Sequence, residues 1–210
     1  MALYDIRPKL GSFGPRGALL RIHRDLFAVH KKIRRWAEYY PPELTNLEKI
    51  VLALEDRRFM KHIGIDWRSL VREIGRATLF MRHGGASTID MQFVRTATGY
   101  KEYSVVRKMY EMLLAVLIQY RYSKIVILRS YLGCAFFGSG LVGAERASRR
   151  VFRTGHDDLT LEQAALLAAM LVYPRPLEEG QGWEARVRRR ANYGIRIYVA
   201  DKKSFDKFPS

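Results

Sequence analysis

The chain has one cysteine, Cys134. No disulfide can close within it, and a lone thiol reads best as a small buried apolar residue. Acidic residues are few: 21 Asp and Glu stand against 37 Lys and Arg, a net charge of +16. Such a field favours an anionic partner, whether nucleic acid, an anionic membrane surface or a phosphorylated substrate. The longest apolar runs, MLLAVLI (112–118) and AALLAAMLV (164–172), fall short of the ~20 residues that cross a bilayer, so no transmembrane helix is expected. The amino end also lacks the pattern of a secretory signal. His62, His83 and His156 show no metal-ligand spacing with Cys or another His, which assigns no metal. No helix-turn-helix, zinc-finger or RNA-binding signature gives the charge a nucleic-acid meaning, and nucleic acid is not expected as a partner.

The residues that are present suit a globular protein, with 48% hydrophobic content. No strand alternation persists, so the expected fold is mainly α. Residues 1–17 look like an irregular leader. Leu19, Ile22, Leu26, Val29, Ile33 and Trp36 then recur at spacings of three and four, lining one face of a helix. Arg21, Arg24, Lys31, Lys32, Arg34 and Arg35 fall largely on its remaining surface. A basic amphipathic helix of this kind can lie in a membrane interface or pack on the domain, and packing is the favoured reading. Thr45 with Glu48, and Thr160 with Gln163, fit capping boxes. Ser87, Ser104 and Ser123 read as N-caps, and GCAFFGSGLVG (133–143) reads as a loop. The expected organisation is a leader and amphipathic helix over 1–44, a main domain over 45–200 and a tail over 201–210.

Candidate chemistry begins in VLALEDRRFMKHIGID (51–66). Leu47, Val51 and Glu55 share one helical row, which drives Glu55 inward, while Asp56 lies about 100° further round. A carboxylate forced among apolar neighbours is disfavoured as an ion, a condition useful to a general base; a plain ion pair with Arg57 or Arg58 is the alternative. The turn HGGAST (83–88) before a helix can bind phosphate, with Gln92 and Arg95 as further donors. Arg107 and Glu111 are four apart on one helix, and exposed pairs of that kind are worth only ~0.2–0.5 kcal/mol.

Taken in order, these segments resemble the family 51 glycosyltransferases, the peptidoglycan transglycosylases. The first motif, EDRxFxxHxGxD, is matched by Glu55, Asp56, Arg57, Phe59, His62, Gly64 and Asp66. The second, G(G/A)STIxxQ, is matched by Gly85 to Ile89 with Gln92. The third, RKxxE, is Arg107 to Glu111, and the fourth, KxxILxxYL, is Lys124, Ile127, Leu128, Tyr131 and Leu132. RRRANY (188–193) resembles the closing RRNYVL segment. The resemblance implies a lysozyme-like helical lobe with a smaller membrane-facing jaw. It also implies polymerisation of lipid II into β-1,4 glycan with inversion and release of undecaprenyl pyrophosphate. Glu55 then matches the general base and Glu111 the second catalytic carboxylate. Asp56, Arg58, Ser87, Thr88, Gln92, Arg95, Arg107, Lys108 and Lys124 match substrate-binding positions.

No cofactor is required by the sequence, and the resemblance admits a divalent cation, magnesium or manganese. The implied partners are lipid II, the nascent glycan, an anionic membrane surface and other cell-wall synthesis proteins, at the outer face of a bacterial inner membrane. The chain departs from the family where QQLxKN becomes MQFVRT (91–96), so that Arg95 replaces a lysine. Tyr110 stands where a lysine is often found, Val126 where a glutamate is, and Gly133 where an asparagine is.

Overall fold

Side-chain caps set the starts of five of the described helices. The computed structural model describes residues 14–36, 43–78, 87–100, 102–178 and 180–206; residues 1–13 of the expected leader (1–17) lie outside them, and from Pro15 that stretch is already helical rather than irregular. Helix α1 spans Pro15–Trp36, α2 Asn46–Glu55, α3 Trp67–Thr78, α4 Ile89–Thr98, α5 Val105–Gln119 and α6 Lys124–Cys134. A two-stranded antiparallel hairpin follows, β1 (Phe136–Gly138) and β2 (Leu141–Val142), and then α7 (Ala144–Phe152), α8 (Leu161–Ala169), α9 (Gln181–Ala200) and α10 (Lys202–Asp206). The fold is mainly helical, as expected. The glycine-rich segment read as a loop closes into the hairpin, which is too short to show strand alternation.

Both capping boxes form. Glu48 N donates to Thr45 Oγ1 at 3.3 Å and Thr45 N donates to Glu48 Oε2 at 2.9 Å, with the reciprocal pair at Thr160 and Gln163. Ser104 and Ser123 cap α5 and α6. At α4, however, the cap is Thr88, whose hydroxyl accepts from Met91 N, and Ser87 is displaced to a different task described below. Thr88 wins because its Oγ1 also donates to the Gly64 carbonyl at 2.7 Å, locking the helix start to the first motif.

Helices α2, α8 and α9 pack as one group, and α1, α4, α5 and α6 as another. One apolar core runs through both. Ala164, Ala165, Ala168 and Ala169 are fully buried, and these small side chains let α8 approach α2 and α9 closely. Helix α3 packs only slightly on the rest, with Trp67 and Val71 exposed. Residues 79–86, which follow α3, lie outside the described residues. Cys134 is buried as predicted, and burial pushes its thiol up to about 11.

Helix α1 packs on the domain, the favoured of its two readings. Its buried row differs from the expected one. Val29 and Ile33 are in the core and Ile22 and Leu26 border it, but Leu19 is exposed and Arg21 and Asp25 are buried. Polar partners on α5 and beside α4 draw Asp25 inward, so apolar spacing alone misplaced the face. Among the described residues no helix is long and apolar enough to cross a membrane.

Gly64 occupies a position that no other residue fits. Its φ is +72°, and a Cβ would stand 2.6 Å from the Ala115 carbonyl on α5. Gly64→Ala is expected to lose about 1–2 kcal/mol to left-handed strain and about 1–3 kcal/mol to overpacking. A lowered urea midpoint with unchanged slope checks this; an unchanged midpoint would show that the first-motif turn relaxes away from α5.

Candidate active site

Glu55 is the last residue of α2, followed directly by Asp56, which caps the helix and turns the chain into a short 3-10 segment at Phe59–Lys61. The helix therefore delivers Glu55 to the edge of the core with its side chain 10% exposed. The expected apolar surroundings are not what the carboxylate meets. Arg190 Nη2, from α9, donates to Oε1 at 2.6 Å, and Gln92 Nε2, from α4, donates to Oε2 at 3.2 Å. The ion pair is thus formed with neither Arg57 nor Arg58. Arg57 turns to the Tyr193 hydroxyl at 3.3 Å and Arg58 lies 3.7 Å from Asp66. Gln92 is itself oriented by the Tyr131 hydroxyl, which donates to its Oε1 at 2.7 Å. Burial, with the Glu55 charge adding to it, raises the Tyr131 pKa, so this hydroxyl stays a donor.

One turn along α4 from Gln92, Arg95 meets the second carboxylate. Its Nε and Nη2 donate to Glu111 Oε1 and Oε2, both at 3.0 Å, and this fork raises the Arg95 pKa. Arg107 also donates to Glu111 Oε1. Glu111 has no exposed surface. The Arg107–Glu111 pair is therefore buried and shared with a third group, not the exposed pair that its spacing suggested, because α4 lies across this face of α5. Lys108 Nζ reaches the Ser87 hydroxyl at 2.5 Å, which accounts for Ser87 leaving the helix cap. Among the described residues, the buried Nε of Arg107 and the buried Nε of Arg190 have no hydrogen-bond partner.

The remaining predicted positions form a layer behind these two groups. Asp56 accepts from Ile89 N at 3.2 Å and pairs with His62 Nε2 at 2.9 Å, so it ties the first motif to α4. Lys124 Nζ lies 2.9 Å from Asp90 Oδ2, 3.5 Å from His62 Nδ1 and 4.3 Å above the Phe59 ring. Burial lowers the Lys124 pKa and raises that of Asp90, each opposed by the other's charge. Asp56, His62 and Asp90 bring ligand atoms within 4.8 Å of one another, a cluster that sequence spacing did not reveal. It does not fit a divalent cation: the Lys124 ammonium already supplies the positive charge, and Asp56 is engaged on both sides. Glu111 is equally engaged, by two arginines.

Sequence reasoning missed Arg190 and Tyr131 as members of the site. Tyr131 lay in a quoted motif and Arg190 in the closing basic segment, but neither position shows from spacing that it faces Glu55 across more than seventy intervening residues. Gly85 and Ala86 of the second motif lie outside the described residues.

Comparison with known proteins bears on this arrangement. The family model described as Transglycosylase matches residues 26–197. Penicillin-binding protein 2a of Streptococcus pneumoniae (strain D39) is 40% identical over 129 residues, 61% of this chain and 17% of that protein. The biosynthetic peptidoglycan transglycosylase of Vibrio parahaemolyticus is 38% identical over 129 residues, 61% of this chain and 57% of that protein. That of Rhizobium meliloti is 34% identical over 167 residues, 80% of this chain and 70% of that protein. The chain thus spans less than two thirds of the first two relatives. With the family match running from within α1 to near the end of α9, over both carboxylates and every helix that positions them, the chain belongs to the transglycosylase family.

Proposed function

We propose that this chain is a peptidoglycan glycosyltransferase that joins lipid II units into β-1,4 glycan with inversion and releases undecaprenyl pyrophosphate. The observation that carries this reading is the contrast between the two carboxylates. Glu55 keeps an exposed edge and stands beside a guanidinium with a spare buried Nε–H, whereas Glu111 is wholly buried between Arg95 and Arg107. In this reading Glu55 takes the proton of the attacking sugar hydroxyl as that oxygen bonds to the anomeric carbon. Gln92 and Arg190 aim the carboxylate. Arg95, Arg107, Lys108 and Ser87 gather around the departing pyrophosphate, whose developing charge needs cations and N–H donors. Glu111 acts through the arginines that it holds. Asp56, Arg58, Thr88 and Lys124 support the frame.

The direct test is incubation of the purified chain with lipid II in detergent, with glycan length read on gels and pyrophosphate release assayed. Polymer together with released lipid pyrophosphate is expected, and neither product under permissive conditions refutes the enzyme. A second reading, a glycan-binding protein without turnover, is favoured by one observation: both oxygens of Glu55 are already hydrogen-bonded. It predicts lipid II binding with no polymer from the native chain.

Lys108 makes the anion site pH-dependent. Burial lowers its pKa below the ordinary 10.5, and Arg95 and Arg107 push the same way against Glu111. The ammonium is present below this lowered value and is lost as pH rises through it. Pyrophosphate affinity should therefore decline at lower pH than a free lysine would permit, while Lys108→Arg should remove that limb. Calorimetric titration across the alkaline range checks this, and an identical limb in both proteins would place Lys108 outside the anion site.

A further inference from the structure

Asp25 on α1 is an acid buried to 4% exposure that, among the described residues, pairs with Arg24, Tyr100 and Tyr110. Its Oδ2 accepts from the Tyr100 hydroxyl at 2.6 Å and from the Tyr110 hydroxyl at 3.0 Å. Its Oδ1 accepts from Arg24 Nε at 3.2 Å and Nη2 at 3.1 Å, and the same Nη2 lies 3.2 Å from the Tyr100 hydroxyl. The two tyrosine rings meet edge to face at 6.0 Å. Burial, joined by the Asp25 charge, pushes the Tyr100 pKa up to about 12 and raises that of Tyr110. Both hydroxyls thus remain donors over the working pH range.

The places of these tyrosines in the chain give the cluster its meaning. Tyr110 directly precedes Glu111 on α5. Tyr100 follows Gly99, the left-handed residue that ends α4 and whose N–H bonds the Arg95 carbonyl at 2.8 Å. One carboxylate oxygen therefore fixes the first turns of α5, which carry Arg107, relative to the last turn of α4, which carries Arg95. Tyr110 is also a position where the chain departs from its family, and its hydroxyl is spent on α1.

We propose that Asp25 is a positioning residue for the pyrophosphate end of the site, using α1 as a strap that holds the Arg95 and Arg107 segments at their working separation. This rests on the anion-site reading above. Among the described residues, four hydrogen bonds from three side chains converge on a carboxylate that bonds neither Glu111 nor its arginines, so its effect passes through the backbone segments that it ties.

The test is calorimetric binding of inorganic pyrophosphate to the full chain, with thermal unfolding measured in parallel. Asp25→Asn is expected to weaken binding about tenfold, the size expected when one ionic contact is displaced. Tyr110→Phe, which keeps ring volume and removes only the donor, should weaken it in the same direction if Asp25→Asn fails to fold. Val29→Ala, one turn further on the same buried row of α1, should lower the melting temperature with binding unchanged. Binding by a folded Asp25→Asn or Tyr110→Phe within twofold of the native chain overturns the strap, as does equal weakening by Val29→Ala. A native chain that binds no pyrophosphate overturns the anion-site reading itself, and the strap with it.

Discussion

Glu55→Gln should reduce polymerisation by about 10²–10⁴-fold, the range contributed by a positioned general base, while leaving substrate binding and the fold nearly intact. Gln has the same length as Glu, so its amide oxygen can still accept from Arg190. Its amide nitrogen would face Gln92 Nε2, and Gln92 cannot simply flip because Tyr131 donates to its Oε1. The substitution therefore removes the proton acceptor and introduces one unfavourable donor-to-donor contact beside a partly solvated guanidinium. Single-turnover polymerisation with prebound lipid II separates the two effects, since lost chemistry appears in the rate and not in the binding isotherm. A Glu55→Gln protein that polymerises within tenfold of the native chain would remove Glu55 from the proton transfer and shift the search to another acceptor.

The second large effect is on stability. Glu111 is completely buried and pairs with both Arg95 and Arg107, whose side chains are 37% and 10% exposed. Removing one partner of a buried pair costs about 3–5 kcal/mol, because a charge is left without compensation. Glu111→Gln should lie near the lower end of that range, since Arg95 can turn outward to water and Arg107 cannot. The same change frees both guanidiniums from their fixed geometry, so turnover in the folded fraction should fall by up to about 100-fold through lost alignment. Urea unfolding of Glu111→Gln, Arg107→Met and the double variant measures the coupling directly. Coupling near zero would mean that the carboxylate and Arg107 are not an energetic pair.

Much of this was legible before any coordinates. The two capping boxes and the serine caps of α5 and α6 depend on interactions within a few residues, and local rules found them; the buried thiol and the mainly helical class followed from residue type and pattern. The ordered motifs brought Glu55, Gln92, Arg95, Arg107, Lys108 and Glu111 forward together, and the structure gathers them in two neighbouring clusters, about Glu55 and about Glu111, to which α4 contributes Gln92 and Arg95. Local rules failed wherever a contact crossed the chain. Thr88 and not Ser87 caps α4 because Gly64 offers a carbonyl to its hydroxyl. Apolar spacing turned Leu19 inward and Arg21 outward, whereas in the structure Leu19 is exposed, Arg21 is buried, and partners on α5 and beside α4 hold Asp25 inward.

By itself, then, the sequence determined the helical class, the starts of α2, α5, α6 and α8, the excess of positive charge and the two motif carboxylates as candidates. Only the tertiary structure decided what each carboxylate is paired with. Helical spacing reports which residues share a face, but it carries no information on which distant segment will cover that face. Arg190 reaches Glu55 from a helix 135 positions away, and Arg95 meets Glu111 because α4 packs across α5. Those packings leave the Glu55 carboxylate partly exposed and bury the Glu111 carboxylate completely.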